Sequence, residues 1–311
     1  MTEKMHPIFD NVEIGLGTWA WGDRLVWNYG QGYNDQDIQT VFNLAVENGI
    51  KFFDTAEIYG QGKSEILLGK LIKDCPQPIT VATKFMPYPW RLRKQALQKA
   101  LSASLKRLDL PKVQLYQIHW PIPLIPIHTW MEAMLEVQQK GLVEAIGVSN
   151  YTLAQTLEAH TLLSAGGSRL VSNQVEYHLL ERRIEKNGLL QQCNELGIKV
   201  IAYSPLAMGI LSGKYTPENP PSGVRASQYN RDLLQRIQPL IRSMKKIGMN
   251  HDGKTAAQVA LNWIICKGAL PIPGAKNANQ IEQNVGATGW RLTEEEVNTL
   301  DELSDSVEKK G

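Results

Sequence analysis

Phe52-Phe53-Asp54-Thr55-Ala56-Glu57-Ile58-Tyr59 reads as a short apolar strand that runs into an acid, with a tyrosine a few residues on. Two further apolar runs end in the same manner. Thr80-Val81-Ala82-Thr83 stops at Lys84, and Leu115-Tyr116-Gln117-Ile118 stops at His119. Asp54, Tyr59, Lys84 and His119 thus stand at or just past the carboxyl ends of three consecutive strands. In a sheet of parallel strands those ends lie side by side, so residues distant in the chain meet in one cleft.

Outward from this stretch the chain keeps one rhythm. Ile14 to Trp19 is a compact strand, and Ile38, Val41, Phe42 and Ala45 then fall at i, i+3, i+4 and i+7, the spacing of a helix with one buried face. Asp35 is its expected N-cap and Gly49 its stop. Ser64 to Lys73 is helical and Ile79 to Thr83 extended. Leu97, Leu101, Ser104, Leu105 and Leu108 line a helix that Pro111 ends. Strands at Val113–Ile118, Val143–Val148, Leu170–Val175 and Lys199–Tyr203 alternate with helices at Ile127–Gln139, Leu153–Leu163 and Leu189–Leu196. Only the interval from Ser204 to Thr255 departs, with a Pro- and Gly-rich loop and an extra helix around Leu233 to Lys246. A Thr255-x-x-Gln258 capping box opens the next helix, Leu270 to Pro273 is the last strand, and Thr293-x-x-Glu296 caps a closing helix. Eight strands alternating with helices predict a (β/α)8 TIM barrel in the α/β class, with extra helices and long loops at its C-terminal face, occupying 1–311 as one domain. An open dinucleotide-binding sheet wants Gly-x-Gly-x-x-Gly, and Gly15-x-Gly17 is followed by Ala20, so that fingerprint fails. Gly62-Lys63-Ser64 lacks the leading glycine of a P-loop, because position 57 is Glu57.

Composition narrows the function. A net charge of +2 over 311 residues gives no footing for nucleic acid or an anionic membrane. Cys75, Cys193 and Cys266 are too dispersed for a metal site or a disulfide framework, which points to a reducing compartment. No signal-peptide core precedes His6 and no stretch has the length of a membrane span, so a cytoplasmic protein is expected. The oligomeric state is left open.

Singly, each of the four polar residues has a bland reading: a turn acid, a packing tyrosine, a solvated cap, a satisfied histidine. Together on one barrel rim they make chemical sense. A nearby ammonium lowers the pKa of a phenol, and an aspartate holds that ammonium charged and in place. The imidazole donates to a substrate oxygen. The set protonates an alkoxide as it forms, so carbonyl reduction by hydride is the expected reaction.

With these residues in view the chain resembles the aldo-keto reductase superfamily over nearly its whole length. The blocks that carry the resemblance are Gly15-Leu16-Gly17-Thr18-Trp19, Phe53-Asp54-Thr55-Ala56 with Tyr59, Thr83-Lys84, Ile118-His119-Trp120, Ile146-Gly147-Val148-Ser149-Asn150, Tyr203-Ser204-Pro205-Leu206 and Ile272-Pro273-Gly274-Ala275, in order. The resemblance implies NADPH held without a Rossmann domain, with Tyr59 as general acid, Lys84 and Asp54 as its tuning pair, and His119 orienting the carbonyl. It implies further that Ser149, Asn150 and Gln174 hold the carboxamide and that Tyr203 stacks on the nicotinamide, near Gly17, Thr18 and Trp19. Ser204, Pro205, Leu206, Ala207, Met208, Gly209 and Lys214, with Arg225 beyond, match the loop over the pyrophosphate. Gly274, Lys276, Gln280, Gln283 and Asn284 match the adenosine site, Lys276 lying near the 2′-phosphate. Many members of the family carry an arginine where this chain has Gln280. Trp19 matches a substrate-pocket position, and Trp21, Tyr88, Trp90 and Trp120 are expected with it around a flat or apolar carbonyl compound. Trp130 and Trp263 are read as core. The late block Ile272 to Asn277 and the loop Pro205 to Tyr215 are closer to the branch with bacterial and plastid reductases, pyridoxal reductases among them, than to the aldose reductase branch, which makes pyridoxal a candidate substrate. The same branch includes potassium-channel β subunits, so an NADPH-sensing binding partner is the alternative class.

Overall fold

A computed structural model describes residues 3–308, apart from the side chains of Val224, Arg225 and Glu308. The strands are β1 (Leu16–Gly17), β2 (Phe52–Asp54), β3 (Thr80–Phe85), β4 (Val113–Ile118), β5 (Val143–Ser149), β6 (Leu170–Glu176), β7 (Lys199–Tyr203) and β8 (Leu270–Pro271). The helices are α1 (Asp35–Glu47), α2 (Lys63–Lys73), α3 (Lys94–Leu108), α4 (Ile127–Gln139), α5 (Leu153–Ala165), α6 (Arg183–Lys186), α7 (Leu189–Glu195), α8 (Val224–Gln228), α9 (Arg231–Asn250), α10 (Ala256–Cys266), α11 (Ala278–Val285) and α12 (Glu294–Glu308). Among the described residues the eight strands pair in parallel in chain order. The seam closes through backbone bonds, Gly15 N donating to Pro271 O at 3.0 Å and Gly17 N to Pro273 O at 3.1 Å. A Cβ on Gly17 would stand 2.8 Å from Ile272 O, so closure needs glycine there. The (β/α)8 barrel expected from the alternation is the fold.

Side chains alternate across each strand. Phe52, Ala82, Leu115, Ala145, Ile201, Leu270 and Ile272 point inward as one apolar cluster, and Phe9, from a 3-10 turn at Pro7–Phe9, plugs its lower end. Phe53, Tyr116, Ile118 and Val148 point outward into the larger core beneath the helices, where Trp130 and Trp263 are also buried. β6 carries a register shift opposite Ile146/Gly147, whose partners are Leu170 and Ser172, so Val171 is left between them as an extra residue. The extra residue flips the phase of the strand. Val171 thereby joins the inner apolar cluster while Gln174, three residues on, also faces inward.

Some expectations are corrected. β1 and β8 are shorter than the runs Ile14–Trp19 and Leu270–Pro273, because the seam is made by a few backbone bonds instead of a full ladder. Asn34, not Asp35, caps α1, its side chain accepting from Gln36 N while Asp37 reaches back to the Asn34 amide. The extra helix α9 runs four residues beyond Lys246, to Asn250. The Thr255/Gln258 and Thr293/Glu296 boxes form as expected.

Candidate active site

Asp54, Lys84 and His119 leave their strands at the upper, carboxyl end of the barrel, immediately above the inner apolar cluster. Lys84 Nζ has three partners there: Asp54 Oδ1 at 2.5 Å, the Thr55 carbonyl at 2.9 Å and the Tyr59 hydroxyl at 3.2 Å. Lys84 is fully buried and Asp54 nearly so, which makes this an ion pair cut off from water. Tyr59 comes from the turn after β2, followed by Gly60, Gln61 and Gly62 in left-handed backbone, a run that swings the chain back over the barrel. Its ring lies edge-on to His119, with centroids 5.8 Å apart, and stacks on Trp19 at 6.2 Å. The structure brings all four together.

Their protonation follows from burial and charge. Burial pushes the Tyr59 phenol above its usual value, although the Lys84 ammonium pulls it down. The expected lowering of this pKa is therefore outweighed, and Tyr59 keeps its proton. Burial would discharge Lys84, but the Asp54 carboxylate and the Tyr59 hydroxyl more than offset it, and the ammonium is held. Burial first, and the Lys84 charge second, hold His119 well below the ordinary imidazole range. A neutral imidazole, a protonated phenol and a charged ammonium face one space.

The residues expected around the nicotinamide form one hydrogen-bonded set. Ser149 Oγ donates to Gln174 O at 2.8 Å, Asn150 Nδ2 to Ser149 Oγ at 3.0 Å and to His119 O at 3.2 Å, and Tyr203 Oη to Asn150 Oδ1 at 3.0 Å. Asn150 is left-handed, with φ 61°, a conformation asparagine tolerates well. The loop after β7 holds Ser204, Ala207, Met208 and Gly209 at φ of 50°, 49°, 54° and 94°. Backbone strain in three non-glycine residues is kept at functional sites, and such turns present N–H groups to anions. Lys214 Nζ lies 3.7 Å from where a Gly209 Cβ would be, so this loop fits a pyrophosphate. Further round, Lys276 Nζ stands over the rings of Trp27, 5.2 Å, and Tyr33, 5.0 Å. Gln280 Oε1 accepts from Lys276 N at 2.8 Å, and Asn284 Nδ2 donates to Gly274 O at 3.4 Å.

Several expected residues fall elsewhere. Trp21 is fully buried against Phe53, with its indole N–H bonded to Ala275 O at 3.2 Å, so it is core and not pocket wall. The Thr18 hydroxyl is turned inward onto Asp54 O and Ser64 Oγ, and Gln283 Oε1 takes the hydroxyl of Thr255. The Arg225 side chain lies outside the described residues. Trp19, Trp90 and Trp120 are exposed on the rim, and Tyr88 stacks on Trp90 with centroids 4.7 Å apart. Two contacts were not foreseen. Glu57 pairs with Arg91 at 2.5 Å and accepts from Met86 N at 2.7 Å, tying the loop after β3 to the segment that carries Tyr59. Gln117 Nε2 donates to Asp54 Oδ2 at 3.2 Å. Its place two residues before His119, and so on the same strand face, was the available signal.

A barrel with this upper rim, where a tyrosine stands beside a buried ion pair, defines a class: a carbonyl-reducing oxidoreductase. The family profile for "Aldo/keto reductase family" matches residues 13–305, and the chain belongs to that family; it is an NADP-dependent oxidoreductase. It is 43% identical over 307 residues to the chloroplastic pyridoxal reductase of Arabidopsis thaliana, covering 94% of this chain and 83% of the relative. Among solved structures, a thermostable aldo-keto reductase in complex with the inhibitor epalrestat superposes with a TM-score of 0.78 at 32% identity, over 97% of this chain and 99% of the other. An aldo-keto reductase from Klebsiella pneumoniae in complex with NADPH superposes with a TM-score of 0.73 at 30% identity, over 94% and 90%.

Proposed function

We propose that this chain reduces an aromatic aldehyde of the pyridoxal kind to its alcohol, with Tyr59 as proton donor and NADPH as the bound reductant. The observation that carries the reading is the unbroken contact from Asp54 through Lys84 to the Tyr59 hydroxyl, under the ring of Trp19. NADPH, when bound, supplies the hydride. Ser149, Asn150 and Gln174 hold its carboxamide and Tyr203 its ring face. The loop Ser204-Pro205-Leu206-Ala207-Met208-Gly209 with Lys214 holds the pyrophosphate, and Gly274, Lys276 and Asn284 the adenosine end. Gln280, committed to the Lys276 amide, braces that turn. His119 donates to the carbonyl oxygen and orients it. Tyr59 Oη gives up its proton to that oxygen as it becomes negative, and the Lys84 ammonium stabilises the phenolate left behind. Asp54 keeps Lys84 charged through the step.

The choice of aldehyde rests on the aromatic rim of Trp19, Tyr88, Trp90 and Trp120 and on the likeness to the plastid pyridoxal reductase. Three free, dispersed cysteines support a reducing compartment such as the cytoplasm, with the whole chain working as one domain on a small molecule. The test is oxidation of NADPH with pyridoxal and a panel of aromatic and aliphatic aldehydes. Pyridoxal turned over ahead of aliphatic aldehydes is expected. Tight NADPH binding with no turnover of any aldehyde would hand the chain to the cofactor-sensing reading. Tyr59→Phe should cost on the order of 10²- to 10⁴-fold in kcat, with NADPH affinity within about twofold of the parent.

A further inference from the structure

The barrel interior changes character abruptly along β4. Leu115 belongs to the inner apolar cluster, His119 to the rim, and Gln117 lies between them, fully buried. In register it stands beside Lys84 of β3 and Gly147 of β5. A Cβ on Gly147 would come within 2.9 Å of Gln117 Cγ and 2.3 Å of Ser172 Oγ, so the neighbouring strand leaves room for this side chain.

The amide is only half used. Nε2 donates to Asp54 Oδ2, the oxygen that Lys84 does not take, while Oε1 has no protein partner among the described residues. A carboxylate oxygen only accepts, so the amide must present its N–H₂ to Asp54 and leave its own oxygen in the apolar interior. Burying an unpaired carbonyl oxygen is unfavourable, and a leucine at this place would join Leu115 and Ala145 without that cost. A glutamate here would set a second negative charge on Asp54, and a lysine a second ammonium against Lys84. What the amide offers is an uncharged donor aimed at one carboxylate oxygen. Gln174 Nε2 donates to the same oxygen at 2.8 Å, so two amides, from β4 and β6, grip Oδ2 while the ammonium takes Oδ1.

We infer that Gln117 is a positioning residue of the reductase: it fixes the Asp54 carboxylate in the orientation that serves Lys84, at some expense to the fold. The inference rests on the proposed roles of Asp54, Lys84 and Tyr59. The titratable groups around Asp54 are Lys84 from β3, Tyr59 from the turn after β2 and His119 after β4. Gln174 of β6, the other amide bonded to Asp54 Oδ2, is uncharged. Loss of the Gln117 donor therefore acts on Asp54 and, through it, on Lys84.

The test is Gln117→Leu, with Gln117→Met made in parallel, each compared with the parent in thermal melting without cofactor and in kcat and KM with NADPH and an aldehyde the parent reduces. Expected is a melting temperature equal to or above that of the parent, with kcat about ten- to hundredfold lower and KM for NADPH little changed. Parent kcat in either folded variant overturns the inference. So does a lowered melting temperature in both, or failure of both to fold, since the amide would then serve packing. If the parent itself reduces no aldehyde, the reading of the enzyme fails first; if the parent is active and Tyr59→Phe is not, only the role of Gln117 is at stake.

Discussion

The two ends of the barrel interior are built from the same strands, and they have opposite chemistry. At the lower end Phe52, Ala82, Leu115, Ala145 and Ile201 close around Phe9 with no polar group among them. Two residues further along, the same strands present Asp54, Lys84, Gln117, Gly147 and Tyr203; Lys84 and Gln117 bond Asp54, and Tyr203 bonds Asn150. One step of the strand period separates a packed hydrocarbon layer from a charged one. The lower layer stabilises closure of the sheet, which leaves the upper layer to hold an ion pair, a neutral histidine and a protonated tyrosine that would be unfavourable in isolation. Substitutions at the two ends should therefore fail differently.

The largest effect is expected from Lys84→Met. It leaves Asp54 buried without its counter-charge, which costs about 3–5 kcal/mol, and it removes the group that stabilises the Tyr59 phenolate. Stability measured in urea and turnover should both collapse. Adding Asp54→Leu to Lys84→Met should restore much of the stability and none of the activity, since a packed apolar pair replaces a broken ionic one. Recovery of activity in the double variant would erase the contrast between the two ends. At the lower end Phe52→Ala should cost about 3 kcal/mol by opening a cavity against Phe9 and Leu115. At temperatures where that variant stays folded, kcat should match the parent. A loss of kcat there would show that the apolar layer also tunes the rim.

The contrast extends to what could be read beforehand. β2 to β7 were legible because each alternates between a barrel interior and a helix layer, and that alternation is written into runs such as Leu115-Tyr116-Gln117-Ile118. The four rim residues were legible for the same reason, since they end those runs. The seam was not. Gly15, Gly17, Pro271 and Pro273 close it through a handful of backbone bonds that leave no hydrophobic pattern. Gln174 faces Asp54 only because a bulge in β6 reverses the strand phase, and no residue type announces that bulge. Trp21 lies two positions from Trp19 in sequence but is buried against Phe53, so proximity to a pocket residue misled. The single turn α6 carries no apolar period of its own: the local Arg182–Glu185 pair at 2.7 Å and the reach of Arg182 to the Asp301 carbonyl at 2.8 Å hold it in place.

Acid should expose the upper layer more than the lower. His119 is kept neutral in the fold, by burial first and by Lys84 second, so its folded pKa lies below the unfolded value of about 6.5. As pH falls past that value the unfolded chain takes up a proton that the folded chain refuses. The stability associated with neutral His119 is therefore complete above the unfolded pKa and drains away as pH drops toward the folded one. The slope is about 1.4 kcal/mol per pH unit over that window. His6, whose pKa is also lowered by burial, contributes in parent and variant alike. Urea titrations between neutral and mildly acidic pH should show the parent losing stability faster than His119→Gln by about that slope. Parallel curves would mean that the folded histidine takes a proton as readily as the unfolded one.

The smallest effect belongs to the outermost aromatic. Trp90 is 74% exposed and stacks on Tyr88 with the rings 4° from parallel, so its removal opens no cavity. Trp90→Ala should change stability by no more than about 0.5 kcal/mol. If the rim receives a flat aldehyde, the lost stacking surface is worth about 0.5–1.5 kcal/mol of binding, a rise in KM of roughly two- to tenfold for aromatic substrates and none for short aliphatic ones. A KM that rises equally for both would place Trp90 outside the pocket, as a loop-packing residue like the buried Trp21. A KM that rises only for aromatics would extend the polar end of the barrel outward into a recognition surface, built from side chains that the fold itself does not need.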